Sequence, residues 1–173
     1  MNGEWRRDGY VISTDASRLD LKTVHDFLKA SYWAAGVSFE VVERSVENSM
    51  VFGVYHDAEQ IGFARVVTDR ATFAYLADVF VLEAHRGRGL GGWLMETIIS
   101  HPELQELRRW MLATRDAHEL YRRHGFDVLD SPAIFMERRF LRRVRRGSYV
   151  PCFLRLSPSH DPSANQPPST ERV

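Results

Sequence analysis

A turn rich in glycine and arginine separates an apolar run from a helix-like run in the middle of the chain. The turn, residues 86–92, reads RGRGLGG, with four glycines and two arginines in seven positions. The apolar residues 79–82 before it and the apolar stripe within 90–98 after it predict a strand, a tight turn and a helix. A helix N-terminus exposes unpaired N–H groups, and glycines let an anion approach them closely. The turn therefore indicates a phosphate-binding site.

Around this unit, the spacing of apolar residues predicts a mixed α/β domain whose first half is antiparallel. Asp20 is expected to cap the first helix, and a second helix is expected over 40–46. The pattern continues with helices over 93–100 and 117–124, and with strands over 9–14, 51–55, 61–67, 72–82, 109–113, 126–129 and 134–137. We expect this domain to span residues 1–140, and residues 141–173 to form a basic linker and a disordered Pro/Ser-rich tail.

Composition places the chain among ordinary globular proteins. Apolar residues make up 44% of its 173 residues, and the formal net charge is zero, so no nucleic-acid or membrane partner is indicated overall. The single cysteine, Cys152, leaves no internal disulfide and no cysteine-based metal cluster, and no metal site is predicted. The N-terminus lacks a signal-like apolar stretch, and no run approaches a membrane span, so a cytoplasmic protein is expected.

An arginine-rich run lies between residues 138 and 146, where six positions are arginine. One hypothesis is a patch for nucleic acid or for an anionic membrane. The other is a solvated last strand and linker, because charge runs usually lie in solvent. We favour the second.

The glycine turn also fits the dinucleotide-binding pattern of Rossmann folds. Gly87, Gly89 and Gly92 satisfy G-x-G-x-x-G, and Asp116 follows the next expected strand, where an acid that binds ribose could lie. Against this hypothesis, residues 83–86 separate the strand from the turn, and only one strand–helix–strand unit is expected.

Two linked motifs support a different interpretation. Residues 86–91 read R-x-x-G-x-G, and residues 114–126 read T-x-x-A-x-x-L-Y-x-x-x-G-F. Together they resemble the two landmarks of the GNAT N-acetyltransferase superfamily, (Gln/Arg)-x-x-Gly-x-(Gly/Ala) and Asn-x-x-Ala-x-x-Leu-Tyr-x-x-x-Gly-Phe. The resemblance covers about residues 9–138. It implies a mostly antiparallel central sheet flanked by helices, and acetyl-CoA as the acyl donor.

The resemblance also assigns residues to the cofactor. Backbone groups of the strand before the turn would pair with the pantetheine arm, and the turn would hold the pyrophosphate. Thr114 stands where the superfamily often has Asn, so the usual amide contact is replaced by a hydroxyl. The implied set is Val79, Phe80, Val81, Arg86, Gly87, Arg88, Gly89, Leu90, Gly91, Gly92, Thr114 and Tyr121.

For catalysis, the resemblance implies that Tyr121 gives a proton to the departing thiolate. Asp78 occupies a position like that of an acidic residue with which polyamine acetyltransferases of the superfamily engage their amine. A carboxylate within an apolar strand is costly, which favours a purpose, but a salt bridge to Arg65 or Arg109 would explain it equally well. Glu83 and His118 are the alternative bases.

The expected acceptor pocket draws on Tyr32, Trp33, Phe73, Tyr75 and Asp78, whose aromatic rings could surround a cation or form part of the core. The leading hypothesis is an acetyl-CoA-dependent N-acetyltransferase that acts on an amine of a small molecule or a protein by direct transfer. The alternative is a non-catalytic acyl-CoA-binding regulatory module. The superfamily is often dimeric, so a homodimer is possible.

Overall fold

A six-stranded sheet forms the centre of the molecule, and the computed structural model describes residues 2–138 of it. The strands are β1 (Glu4–Arg7), β2 (Tyr10–Ser13), β3 (Met50–His56), β4 (Glu59–Thr68), β5 (Phe73–Val81) and β6 (Arg109–Met111). They lie side by side in chain order. Each pair from β1 to β5 is antiparallel, and β5 and β6 are parallel. This confirms the mixed, mostly antiparallel sheet and contradicts the Rossmann interpretation, which requires a mainly parallel sheet.

Helices cover both faces of the sheet. They are α1 (Leu21–Ala30), α2 (Phe39–Glu47), α3 (Leu90–Ile99) and the short α4 (His118–Arg122). The predicted cap of α1 is confirmed, because the Asp20 carboxylate accepts hydrogen bonds from the N–H groups of Lys22 and Thr23. Among residues 2–138, every helix is too short or too polar to cross a bilayer.

Two apolar clusters hold these layers together. On one face, Val24 and Leu28 of α1 and Val42 and Val46 of α2 pack with Phe80 of β5 and its neighbours. On the other face, α3 is buried against the sheet through Leu90, Trp93, Leu94, Met95 and Ile98. Because β5 contributes to both clusters, its position is fixed from both sides, and the glycine turn that follows it begins from a rigid strand.

The parallel partner of β5 ends early. Strand β6 pairs only with Phe73, Ala74 and Tyr75, whereas β5 continues to Val81. Within the described residues, the edge of β5 beyond Tyr75 therefore has no neighbouring strand on the β6 side. An open strand edge offers a row of backbone donors and acceptors to an extended ligand.

The first strand, β1, was not predicted, because its residues EWRR are mostly exposed and carry no alternating apolar pattern. The two closing strands predicted at 126–129 and 134–137 are wrong: neither segment is a strand, and Pro132–Ile134 form a 3-10 turn. Val128 and Ile134 are 67% and 69% exposed, so their apolar pattern has no layer to pack against. The tail at 141–173 and positions 139–146 of the arginine run lie outside the described residues.

Candidate active site

A cleft of about 1010 Å³ runs between the open end of β5, the glycine turn and α4. It brings together the predicted cofactor residues except Arg88 and Thr114. Those that line it are Val79, Phe80, Val81, Arg86, Gly87, Gly89, Leu90, Gly91, Gly92 and Tyr121. Val79 and Tyr121, which are 42 positions apart in the sequence, thus line the same cleft.

The glycine turn leaves the start of α3 uncapped. Gly89 is the N-cap residue, with a left-handed φ of 74°, and it has no side chain that could satisfy the first N–H groups of the helix. Gly87 also has a positive φ, 75°, which residues with a side chain rarely adopt. A Cβ on Gly92 would meet nothing within 4 Å, so the helix start faces open space. This surface can donate several hydrogen bonds to an anion.

The two arginines of the turn differ in placement. Arg86 lines the cleft, and its Nε donates a 3.0 Å hydrogen bond to the Val81 carbonyl, which ties the turn to the end of β5. Arg88 lies outside the lining, and its Nη1 donates to Tyr10 Oη at 3.2 Å. Arg7 of β1 also approaches, with its guanidinium 3.5 Å from where a Cβ on Gly89 would lie. The turn is therefore rich in positive charge from two parts of the chain.

Asp78 sits at a bulge in β5. Between the pairs Arg65–Ala77 and Phe63–Phe80, two residues of β5 face the single residue Ala64. Asp78 adopts a left-handed φ of 54° there. A bulge interrupts the ladder and leaves backbone groups without their usual partners, a common device beside active sites.

Both oxygens of the Asp78 carboxylate are engaged. Arg65 Nε donates to Oδ2 at 2.5 Å, and Trp33 Nε1 donates to Oδ1 at 3.2 Å. Of the two arginines proposed from the sequence as ion-pair partners of Asp78, the structure selects Arg65. Arg109 instead places its guanidinium over the Phe135 ring.

A smaller cavity of about 290 Å³ opens beside the main cleft. Tyr32, Trp33, Tyr75 and Asp78, all predicted for the acceptor pocket, line it. Phe73 does not line either space, since it lies at the end of β5 that pairs with β6. The two spaces share the wall residues Tyr32, Trp33, Val79, Asp116, Ala117 and Tyr121, so a molecule in one can meet a molecule in the other.

Tyr121 lies on this shared wall. Burial raises the pKa of its phenol to about 12, and the nearby Tyr32 and Asp116 add to the increase. The phenol therefore keeps its proton throughout the neutral range. Its ring packs edge-on against Phe126, with centroids 6.1 Å apart, which holds it at the end of α4.

The remaining predicted residues are less central. The Thr114 hydroxyl accepts a hydrogen bond from the Ala117 N–H at 3.1 Å and lines the smaller cavity, so it also orders the loop before α4. Glu83 and His118, the alternative bases, line neither the cleft nor the smaller cavity.

Sequence reasoning gave no catalytic role to Asp116, although it is the carboxylate common to both spaces. It also missed His85 and His124 as cleft residues. Asp116 lies inside the second motif, two residues after Thr114, but its position in that motif is variable, so the pattern carried no signal. Only the fold, which brings the α1–α2 loop across to this loop, identifies it.

Comparisons with known proteins identify the family. Residues 47–128 match the family model described as the acetyltransferase (GNAT) domain. The chain is 31% identical to a proposed acetyltransferase of Gibberella zeae over 140 residues, which cover 68% of this chain and 78% of that protein.

Solved structures give the same result. A proposed GNAT-family acetyltransferase from Xanthomonas campestris pv. campestris is 46% identical, with a TM-score of 0.75, covering 78% of this chain and 96% of that one. A GNAT family acetyltransferase from Elizabethkingia anophelis with acetyl-CoA bound shares the fold at 18% identity and a TM-score of 0.55, over 72% of this chain and 80% of that one. The fold and the site define an acyltransferase. The chain belongs to the GNAT family of acetyltransferases.

Proposed function

We propose that this protein transfers an acetyl group from acetyl-CoA directly to a primary amine of a small molecule or a protein, and that residues 1–140 form the catalytic domain. One observation carries the proposal: the open edge of β5, the uncapped start of α3 and the protonated phenol of Tyr121 all face one cleft, and a second cavity opens from the same wall. Such a space can hold a donor and an acceptor together.

The fit to coenzyme A rests on three features of the cleft. The edge of β5 over Val79 to Val81 can pair with the amide groups of an extended pantetheine arm, as a further strand would. The N–H groups at the start of α3 suit the pyrophosphate. Arg86 supplies charge beside it. The acetyl-CoA found in the Elizabethkingia anophelis relative supports this assignment.

The chain's own residues supply the chemistry around the thioester. The bulge interrupts the β4–β5 ladder at Asp78 and Val79, and a backbone N–H released from the ladder there is suited to polarise a carbonyl oxygen. Tyr121 holds a proton that it can give to a departing thiolate. That transfer runs uphill, since a free thiol has a pKa of about 8.5, so it requires a close hydrogen bond formed as the C–S bond breaks.

Direct transfer is favoured over an acyl-enzyme. The single cysteine, Cys152, lies outside the described residues, and no residue that lines the cleft or the smaller cavity carries a thiol. The amine itself then attacks the thioester, and the two cavities meeting at Tyr121 provide the required approach.

The test follows free thiol release from acetyl-CoA with the full chain and four acceptors: spermidine, L-lysine, kanamycin and a lysine-containing peptide. Tyr121→Phe is expected to lower kcat by about 100-fold or more, because general acid catalysis contributes on that scale. Tyr55→Phe is the matched control, since Tyr55 is also a buried tyrosine with a raised pKa but lies outside the cleft. Binding of acetyl-CoA with no release on any acceptor would instead support the non-catalytic module.

A further inference from the structure

Asp116 occupies the junction of the two cavities, in the loop between β6 and α4. It lines the cleft and the smaller cavity, and it is exposed. Among residues 2–138, none of the ion pairs includes Asp116. Within this part of the chain, no basic side chain therefore forms an ion pair with the Asp116 carboxylate, at the point where donor and acceptor would meet.

Asp78, the carboxylate favoured by the sequence, is differently placed. It lines only the smaller cavity, and Arg65 already neutralises its charge at 2.5 Å. An ammonium ion that approached Asp78 would have to compete with a guanidinium that is itself 20% exposed and held in place. Of the two carboxylates, Asp116 is therefore the one whose negative charge is available to bind a cation.

The side chain of Asp116 is oriented from across the cleft. Tyr32 Oη donates to Asp116 Oδ1 at 3.0 Å and accepts the Arg115 N–H at 3.3 Å. The Arg115 guanidinium lies 3.9 Å from the centre of the Tyr32 ring. Because the Tyr32 hydroxyl has both a donor and an acceptor partner, it fixes one carboxylate oxygen and leaves Oδ2 for a ligand.

We infer that Asp116 binds the ammonium group of the acceptor and takes up its proton, with Tyr32 as its positioning residue. The inference rests on the proposed acetyl transfer and deepens it. It specifies the acceptor as an amine that arrives as a cation, and it assigns Asp78 to the support of the β5 bulge instead of to proton transfer.

The ammonium R–NH3+ gives one proton to the Asp116 carboxylate, which forms R–NH2 and a carboxylic acid. The nitrogen lone pair forms the N–C bond, the C–S bond breaks with its electrons on sulfur, and Tyr121 Oη protonates that sulfur. The second nitrogen proton restores the Tyr121 phenol, and Asp116 releases its proton to water on its exposed side. The products are the amide, the free thiol of CoA and one proton.

The nitrogen must lose one proton before it can attack, because an alkylammonium has a pKa of about 10.4 and no free lone pair at neutral pH. Asp116 thus acts as a transient carrier that passes the proton to water on its exposed side.

The test uses the acceptor of the four-compound set that the wild-type protein acetylates fastest, and measures kcat and KM for amine and acetyl-CoA from pH 6 to 10. Asp116→Asn is expected to lower kcat/KM for the amine roughly 10- to 100-fold at pH 7, the scale of one charge-assisted hydrogen bond, with KM for acetyl-CoA nearly unchanged. Asp130→Asn, an exposed aspartate that lines neither space, is the matched control. Tyr32→Phe, which keeps the carboxylate, should show a smaller loss of the same kind.

The pH profile separates this role from a structural one. The deficit of Asp116→Asn should shrink toward pH 10, because a growing share of the amine is already neutral in solution and that share needs no carboxylate to take its proton. The other charged or titratable groups on the walls near Asp116 are Tyr32, Arg65, Tyr75, Asp78, Arg115, Tyr121, Arg123 and His124, and all of them are present in both proteins. Besides burial, Asp116 contributes to the raised pKa of Tyr121, about 12, so the comparison ends at pH 10, below the range in which that phenol ionises. Within that range the ratio of the two profiles reports Asp116.

Each outcome decides one question. A deficit that matches Asp130→Asn, or one that stays constant with pH, overturns the role of Asp116 while leaving acetyl transfer intact. A wild-type protein that releases no thiol with any of the four amines overturns the proposed function itself, and the inference with it.

Discussion

Arg65 Nε lies 2.5 Å from Asp78 Oδ2 across two neighbouring strands, at the one point where β5 departs from regular pairing. The two side chains are 20% and 11% exposed, so the pair is largely shielded from water. A shielded charge that loses its partner is costly, whereas the intact pair adds little net stability. We therefore interpret the Arg65–Asp78 ion pair as a contact that holds Asp78 in its left-handed conformation.

Substitution of Asp78 tests whether this ion pair and the left-handed backbone conformation affect stability. Asp78→Ala should destabilise the fold more than Asp78→Asn, because alanine tolerates a positive φ poorly, at a cost of roughly 1–2 kcal/mol, and leaves Arg65 without an acceptor. Asparagine adopts that conformation more readily and keeps an oxygen for Arg65. Urea denaturation of both variants measures the difference. Equal losses of unfolding free energy would show that neither backbone strain nor the guanidinium acceptor matters.

Substitutions of Gly92 and Gly89 in the turn distinguish an effect on stability from an effect on cofactor binding. Gly92→Ala should raise the unfolding free energy by about 0.5–1 kcal/mol, because alanine favours a helix interior. It should nevertheless weaken binding of CoA, because the new methyl group enters the open space that we assign to the pyrophosphate. Calorimetric titration with CoA and thermal melting measure the two effects.

Gly89→Ala is the companion variant. Its φ of 74° makes any side chain strained, so this substitution should lower stability as well as CoA affinity. If Gly92→Ala bound CoA as tightly as the wild-type protein, the assignment of the pyrophosphate to the start of α3 would be wrong.

The sequence predicted those parts of the structure whose determinants are local. Runs rich in apolar, β-branched and aromatic residues specified β3, β4 and β5, a side-chain cap marked the start of α1, and the glycines marked the turn before α3. The closing strands failed because strand formation depends on a partner edge, which no local pattern encodes. Asp116 was missed as a site residue for a similar reason: its contact with Tyr32 joins positions 84 residues apart and exists only once the sheet brings them together.

The Tyr121 phenol should titrate well above the range of ordinary tyrosines. Burial raises the pKa of Tyr121 to about 12, against about 10 for a free tyrosine. The tyrosinate absorbance of the wild-type protein minus that of Tyr121→Phe should therefore rise near pH 12, and activity should not decline through ionisation of this group at pH 8 to 10. A difference step near pH 10 would place the phenol in water and contradict its location on the cleft wall.

Tyr55 provides a contrast between a buried hydroxyl with a partner and one without. Within the described residues, Tyr55 Oη is buried and makes no hydrogen bond, and it lies over Gly53, where a Cβ would overlap it. The Tyr10 hydroxyl, also in a buried residue, accepts a hydrogen bond from Arg88. Tyr55→Phe should therefore leave stability at pH 7 unchanged or raise it by about 1 kcal/mol, whereas Tyr10→Phe should cost about 1 kcal/mol.

The raised pKa of Tyr55 predicts that the stability of the protein changes with pH. Burial raises the pKa of Tyr55 to about 12, so between about pH 10 and pH 12 the unfolded chain releases a proton that the folded protein keeps. The contribution of the Tyr55 phenol to the unfolding free energy is fully present below pH 10 and is lost as the pH rises through 12. Urea unfolding at pH 7 and pH 11 should show a smaller alkaline loss for Tyr55→Phe than for wild type. Parallel losses in the two proteins would mean that the Tyr55 hydroxyl reaches solvent in the folded state.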